Sequence, residues 1–268
     1  MSVEIEENKH AWGQLSEAHY HTFLERFADG SHILNPHITA EIGDLTGKRV
    51  IHLQCNTGAD TILLAKRGAS EVVGVDLVPG NVEFARKLAA AQGCDNVRFV
   101  ESDIMKIMDL DLGKFDVVFT SEGALGWLPD LGYWGRAIRN LLHDDGYFYA
   151  FEGHPIYLMF DEEKLAKGET FIKYPYFERT PDLSVSIGGY ASEPVSGVRA
   201  HFWMYKISDL INSLSSAGLH INYFHEFEDN FFDPGGEVQI GPGQYNYPFN
   251  EGLFPQTFSL KATVFPGR

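Results

Sequence analysis

Short apolar runs alternate with stretches of helical spacing through the first 150 residues of this chain. Val50 to Leu53 is one such run, and it ends in a polar turn, Gln54-Cys55-Asn56-Thr57-Gly58. Ala59 to Arg67 has helical spacing and stops at Gly68. A second run, Val72 to Val75, ends on Asp76. The pattern predicts strand, turn, helix, strand, with an acid at the tip of the second strand. That is the first half of a nucleotide-binding α/β unit, in which the acid can accept both hydroxyl protons of an adenosine ribose. The turn and the helix start would bring backbone N–H groups towards the ligand.

The alternation continues. A helix is predicted from Pro79, a residue suited to a first helical turn, to Gly93. Strands are predicted over Val97–Glu101, Phe115–Thr120 and Tyr147–Glu152, with a helix over Leu131–Leu142. Phe115–Thr120 is almost wholly apolar, as a central parallel strand should be. The repeat predicts a Rossmann-like, doubly wound, mostly parallel sheet of class α/β. Ahead of it, residues 10–28 read as one aromatic-rich helix. Beyond it, FIKYPYF, LSVSIGGY and VRAHFWMY read as β-like runs of an added insert. Helix Ser208–Ala217 and strands Ile221–Phe227 and Thr257–Val264 close the chain, with a long Gly/Pro/aromatic loop between the two strands. The expected organisation is a single domain, 1–268. It comprises an N-terminal helical lid (1–45), a β-rich insert (156–206) and a loop over the substrate side (228–256).

The turn discriminates between nucleotides. A dinucleotide site needs G-x-G-x-x-G, because the pyrophosphate approaches bare backbone. Gln54, Asn56 and Ala59 occupy those positions, and no G-x-x-x-x-G-K-[ST] loop is present. S-adenosylmethionine lacks a pyrophosphate and tolerates bulkier residues in the turn.

Composition narrows the partners. The 268 residues are 44% apolar, enough for one large domain. The formal charge is −16 and no Lys/Arg run occurs, which argues against a phosphate-backbone partner and predicts no nucleic-acid binding. Two cysteines, Cys55 and Cys94, form neither a disulfide framework nor a CxxC site. No apolar leader and no 18-residue apolar stretch is seen, so the reading is a soluble, cytoplasmic protein with no membrane partner. Oligomeric state cannot be read from the sequence.

These motifs resemble the class I S-adenosylmethionine-dependent methyltransferases over nearly the whole chain. HLQCNTG stands where that family has D-x-G-x-G-x-G, Asp76 and Asp103 match the acids after strands 2 and 3, and FDVVFTSEG matches the strand 4 motif. LLHDDGYFYAFE matches the run before strand 5. HLQC, GADT, SEGALGWLPDL and EGHP look like a bacterial subgroup acting on small molecules. His52 replaces the family's acid in the first motif, and Gln54 and Asn56 replace two of its glycines.

The resemblance implies methyl transfer from S-adenosylmethionine to a small-molecule acceptor. Expected cofactor contacts are Gln54, Cys55, Asn56, Gly58, Asp76, Leu77, Asp103, Ile104 and Ser121, with Asp103 accepting from the adenine amino group. Expected catalytic residues are His154 and Glu122, near the tips of strands 5 and 4, where a base could take a proton from the acceptor. Expected acceptor contacts are Tyr20, Trp127, His154, Tyr245 and Tyr247. His19, His21 and His154 lack a metal-ligand pattern, so no metal is expected. Two other readings stay open beside this one: a degenerate cofactor-binding or non-catalytic interaction domain, and a nicotinamide-dependent oxidoreductase.

Overall fold

The computed structural model describes residues 2–178, 180–188 and 190–265. Its N-terminal region is not one helix but two, α1 (Val3–Gly13) and α2 (Ser16–Asp29), followed by short α3 (Pro36–Glu41). The break between the first two lies at Gln14-Leu15, where N–H groups bond three residues back, to Ala11 and Trp12. The tightened turn buries Leu15 beside Ala11. Periodicity alone reads through such a break, because both helices share an aromatic-rich composition.

The alternating unit follows as expected: β1 (Arg49–Leu53), α4 (Ala59–Lys66), β2 (Glu71–Asp76), α5 (Pro79–Ala91), β3 (Val97–Glu101), β4 (Phe115–Ser121), α6 (Leu131–Leu141) and β5 (Leu142–Gly153). β5 starts five residues earlier than predicted, so the Asp144-Asp145-Gly146 stretch belongs to the strand. The second half holds α7 (Glu162–Leu165), β6 (Asp182–Ile187), β7 (Val195–Phe202), α8 (Ile207–Ser216), β8 (Leu219–Phe227), β9 (Val238–Gly241), β10 (Gln244–Asn246) and β11 (Thr257–Val264). FIKYPYF does not form a strand. Pro175 removes a ladder donor there, and the segment contributes only an isolated bridge, Phe160 to Ile172.

Seven strands make one sheet in the order β3-β2-β1-β4-β5-β11-β8. The first five are parallel, and β11 runs antiparallel to both neighbours. β8 therefore points the same way as β5, and its end at Phe227 reaches the edge that carries Asp76 and Ser121. Alternation along each strand separates two cores. Ile51, Val73, Val118 and Phe148 enter one; their neighbours Val50, Val72, Val117 and Tyr149 enter the other.

The insert is a two-stranded ribbon of β6 and β7. Buried Asn8 of α1 fastens it by accepting from His201 N–H (2.6 Å) and donating to His201 carbonyl (2.9 Å). The long loop contains a second ribbon, β9 with β10.

Helix α6 packs closely on α8, and Gly135 sets the distance: a Cβ there would lie 2.5 Å from the Ser213 carbonyl oxygen. Alanine is the better helix former by about 1 kcal/mol. Backbone cannot yield as a side chain can, so overpacking should win. Gly135→Ala is expected to lower stability by about 1–3 kcal/mol in urea unfolding; an unchanged or higher midpoint would show that the helices separate freely.

Candidate active site

The C-terminal edge of the sheet opens into a cavity of about 740 Å³. Its walls come from the 54–60 turn, the tips of β2, β3 and β4, the α1–α3 region, Tyr190 of the insert, and the long loop at 231–245.

The 54–58 turn keeps a glycine-type backbone without the glycines. Gln54, Asn56 and Glu122 have φ of 58°, 48° and 53°, and they are the non-glycine residues with positive φ among those described. All three line this cavity. Such conformations cost of order 1 kcal/mol or more each, and they persist where surrounding structure over-determines them. Here Gln54 Nε2 donates to the Ala124 carbonyl (2.8 Å), and Asn56 Oδ1 accepts from Thr57 N–H (2.7 Å). The turn's own N–H groups are committed: those of residues 55 to 58 reach Val75 O, Asp76 Oδ2, Asn56 Oδ1 and Cys55 O. The expectation that these amides are free for a ligand is therefore corrected. The unpartnered groups are side-chain atoms instead, Gln54 Oε1 and Thr57 Oγ1.

Asp76 is buried at the tip of β2 and accepts from Asn56 N–H (2.8 Å), Val78 N–H (2.9 Å) and Asn81 Nδ2 (3.1 Å). Burial outweighs these bonds and raises its pKa to about 6. Protein N–H groups thus hold both of its oxygens, and it lines the cavity at the strand tip. Asp103 caps the turn that follows, accepting from Met105 N–H (2.9 Å), and still lines the cavity together with Leu77 and Ile104.

The tip of β4 brings carboxyl groups together. Asp60, in the first turn of α4, has Oδ1 3.2 Å from His32 Nε2 and Oδ2 3.4 Å from Ser121 Oγ. Burial pushes its pKa up, but His32 and its other neighbours hold it below the ordinary value. Glu122 lines the cavity beside it; its N–H donates to the Phe151 carbonyl (2.7 Å), while its carboxyl has no hydrogen-bond partner among the described residues. Burial, then the charges of Asp60 and Glu152, push its pKa well up. His52 is buried, shares a hydrogen bond with Thr61 Oγ1 (2.9 Å), and is pushed by burial down to about 4, so it is neutral at pH 7. Glu152 lies behind, accepting from Gly123 and Ala124 N–H groups, and burial raises it to about 7.

Cys55, Ser121, Trp127 and Tyr245 also line the cavity, as expected for site residues. Four others stand elsewhere. Gly58 supports the turn from behind: its φ is 77°, and a Cβ would meet the Phe99 ring at 2.6 Å. Tyr20 stacks on Phe84 (5.1 Å) on the outer side of α2. Tyr247 is buried in a separate cluster with Tyr157, Leu165 and Phe254. His154 is fully buried, with Nε2 2.9 Å from Glu226 Oε1 and Nδ1 accepting from Ile156 N–H (3.0 Å). Both ring nitrogens are thus engaged away from the cavity. Two residues, 245 and 247, separate because β10 ends at Asn246 and the chain turns at Pro248.

Sequence reasoning missed His32, Tyr190 and Arg26 as cavity residues. His32 follows the left-handed Gly30 that ends α2, and no motif marks it. Tyr190 arrives from the insert, 134 residues away from Asn56, whose Nδ2 donates to its hydroxyl (3.0 Å).

Residues 44–169 match the sequence family described as "Methyltransferase domain". That stretch of the chain is similar to a methyltransferase domain. A putative S-adenosylmethionine-dependent methyltransferase from Listeria monocytogenes has the same fold, with a TM-score of 0.60 at 20% identity over 85% of this chain and 96% of that one. A ubiquinone biosynthesis O-methyltransferase of Neisseria meningitidis (serogroup C) is 36% identical over 106 residues, 38% of this chain and 43% of that protein. The 23S rRNA (uracil(1939)-C(5))-methyltransferase RlmD of Shewanella sediminis is 40% identical over 86 residues, 31% of this chain and 19% of that protein. The chain thus spans less than half the length of the Neisseria and Shewanella proteins. The matched segment covers β1 to β5 and α7 and does not extend to most of the insert, α8 or the closing strands. No helix among the described residues is long and apolar enough to cross a membrane.

Buried acids behind the cavity make stability depend on pH. Glu152 has a folded pKa above its unfolded value, so its contribution is full below about 4.5 and is lost as pH rises to about 7. Asp76 acts in the same direction between about 4 and 6. Unfolding free energy is expected to drop by about 2–3 kcal/mol between pH 5 and pH 8 on account of Glu152. Glu152→Gln should flatten that part of the profile in urea titrations at the two pH values; an equal drop in the variant would assign it elsewhere.

Proposed function

We propose that the protein transfers a methyl group from S-adenosylmethionine to a small-molecule acceptor. The observation that carries this reading is the convergence of Asp76, Asp103 and the left-handed Gln54, Asn56 and Glu122 on one cavity in a methyltransferase domain. Their chemistry fits the cofactor. Asp76 lines the cavity at a strand tip, where it would accept from a ribose hydroxyl, Asp103 stands at the next strand tip for the adenine amino group, and Ile104 and Leu77 give apolar walls. Buried Gln54 Oε1 and Thr57 Oγ1, without partners, suit the polar amino-acid end. The cofactor supplies an activated methyl on a sulfonium sulfur.

The chain's own residues would align, exclude water and accept a proton. Most of the rate would come from holding the acceptor in line with the methyl carbon. Glu122 is the group placed to take the acceptor's proton, since its raised pKa makes it a stronger base than an ordinary carboxylate. Trp127, Tyr245 and the loop aromatics Phe231 and Phe232 would wall the acceptor space. In this reading residues 1–268 act as one domain, with the N-terminal helices and the long loop covering the cavity.

A nucleic-acid acceptor is disfavoured by charge: the cavity wall carries Arg26 and no lysine. A small-molecule acceptor, met in the cytoplasm, is the reading that goes with the formal charge of −16.

Calorimetry with S-adenosylhomocysteine tests the cofactor. A ribose hydroxyl donating to Asp76 favours its ionised form, so binding should lower the Asp76 pKa from about 6. Affinity should therefore weaken as pH falls below about 6, and binding near pH 6 should release protons, visible as a buffer-dependent heat. Asp76→Ala should weaken binding by about 1.5–3 kcal/mol. Absent binding to the wild type would remove the methyltransferase reading; unchanged affinity in a folded variant would remove Asp76 from the site.

A further inference from the structure

The cavity is short of positive charge. Its wall carries five carboxyl groups, those of Asp60, Asp76, Asp103, Glu122 and Asp233, against the guanidinium of Arg26 and no lysine. Arg26 is occupied at the insert side, where Nη2 donates to the Tyr190 carbonyl (3.4 Å) and the group lies 5.6 Å from the Phe23 ring. Asp76 and Asp103 are satisfied by protein N–H groups and stand where the adenosine would lie. Asp233 is at the mouth, accepting from Gly235 and Glu237 N–H groups. Asp60 has His32 and Ser121.

Glu122 remains. Its backbone is held left-handed, its carboxyl faces the cavity with no hydrogen-bond partner among the described residues, and Asp60 and Glu152 act on it as like charges. Glu122 is half-buried, and a carboxyl lining a cavity beside like charges is relieved by a cation or by a proton. The inner wall also holds Thr57, fully buried, with Oγ1 unpartnered. Around the same space stand half-buried Trp12, Trp127, Tyr190, Phe231, Phe232 and Tyr245. Trp127 is set edge-on to Trp12 (ring centroids 5.2 Å apart), and Tyr190 edge-on to His19 (4.9 Å), so these rings are held in place. Ring faces beside unpaired carboxylate attract organic cations.

We infer that the methyl acceptor is a small amine, bound as its ammonium form between the Glu122 carboxyl and the aromatic wall, and methylated on nitrogen. The inference rests on the methyltransferase reading above and narrows its substrate. The ammonium N–H gives its proton to a Glu122 carboxylate oxygen, leaving a neutral amine and a carboxylic acid. The nitrogen lone pair then forms the N–C bond as the C–S bond breaks, its electron pair staying on sulfur. The products are the N-methylated ammonium and S-adenosylhomocysteine, and Glu122 returns its proton to water. Asp60, kept ionised by His32, holds negative charge beside the cation throughout. An acceptor carboxylate would meet the same acids as a repulsion, and an alcohol would leave them uncompensated.

The test uses the full chain with saturating S-adenosylhomocysteine and three matched probe sets: phenethylamine, tyramine and putrescine, their alcohol counterparts, and their carboxylate counterparts. Calorimetry reads binding, and S-adenosylhomocysteine release from S-adenosylmethionine reads turnover. At least one amine is expected to bind tenfold or more tightly than its alcohol and carboxylate counterparts, with turnover confined to amines. Glu122→Gln should lose tenfold or more in amine affinity while S-adenosylhomocysteine affinity stays within twofold. Alcohols or carboxylates binding as well as amines, no binding by any amine, or full amine affinity in a folded Glu122→Gln would overturn the inference. The wild-type comparison stands even if that variant fails to fold. Failure of S-adenosylhomocysteine itself to bind would instead strike the cofactor reading.

Discussion

The carboxylate of Asp76 is the joint on which the site is assembled. One oxygen holds the Asn56 amide and so fixes the left-handed turn after β1; the other holds the first turn of α5 through Val78 N–H and Asn81. Asn81 carries the connection onward, because its Oδ1 accepts from Ser16 Oγ at the start of α2 (2.6 Å). A single buried acid thus ties a strand tip, a turn, a helix and the N-terminal cover. Burial alone would expel the charge. The N–H groups that hold it are the same ones that shape the cavity, so site geometry and the ionisation of Asp76 depend on each other.

That dependence explains how the turn survives without its glycines. Glycine is favoured where φ is positive because it carries no Cβ. Asn tolerates the region by bonding locally, as Asn56 does to Thr57 N–H, and Gln54 is held by Ala124. The side chains then occupy space that glycines would leave open, and they present polar atoms to it. The sequence showed that glycines were missing. It could not show that the backbone keeps the glycine conformation, because φ is imposed by tertiary bonds formed with residues 20 and 70 positions away.

The sheet was legible because its signal is local and repeated. Apolar runs such as Val72–Val75 are buried on both faces and need only their own composition to be read. Acids at strand tips were legible for the same reason: Asp76 and Asp103 sit at fixed places in the repeat. Catalytic chemistry was not. His154 lies two residues beyond the expected end of β5 and looked available, yet Glu226 on β8 and Ile156 N–H engage both its nitrogens. His32 looked like a linker residue, yet the cap at Gly30 turns it towards Asp60. Both outcomes turn on side-chain direction across long sequence separations, which no spacing rule encodes.

The long loop shows how an irregular segment becomes a defined wall. Its ends close on each other through paired backbone bonds, Asn230 N–H to Tyr245 O (2.7 Å) and Tyr245 N–H to Asn230 O (2.9 Å). Beneath them Asn230 Nδ2 donates to Tyr157 OH (3.2 Å) and to Glu237 Oε1 (3.4 Å). Burial raises Glu237 to about 8, so at neutral pH its carboxyl is mostly protonated and does not place a charge among Tyr157 and Tyr247. Buried Tyr247 then anchors the loop from below, while Tyr245, Phe231 and Phe232 remain to face the cavity. Residues two apart thus divide between scaffold and site, because the strand that would keep them on one side ends between them. A loop ordered in this way moves as a unit if it moves at all, since displacing one aromatic breaks the backbone pairing that holds the others.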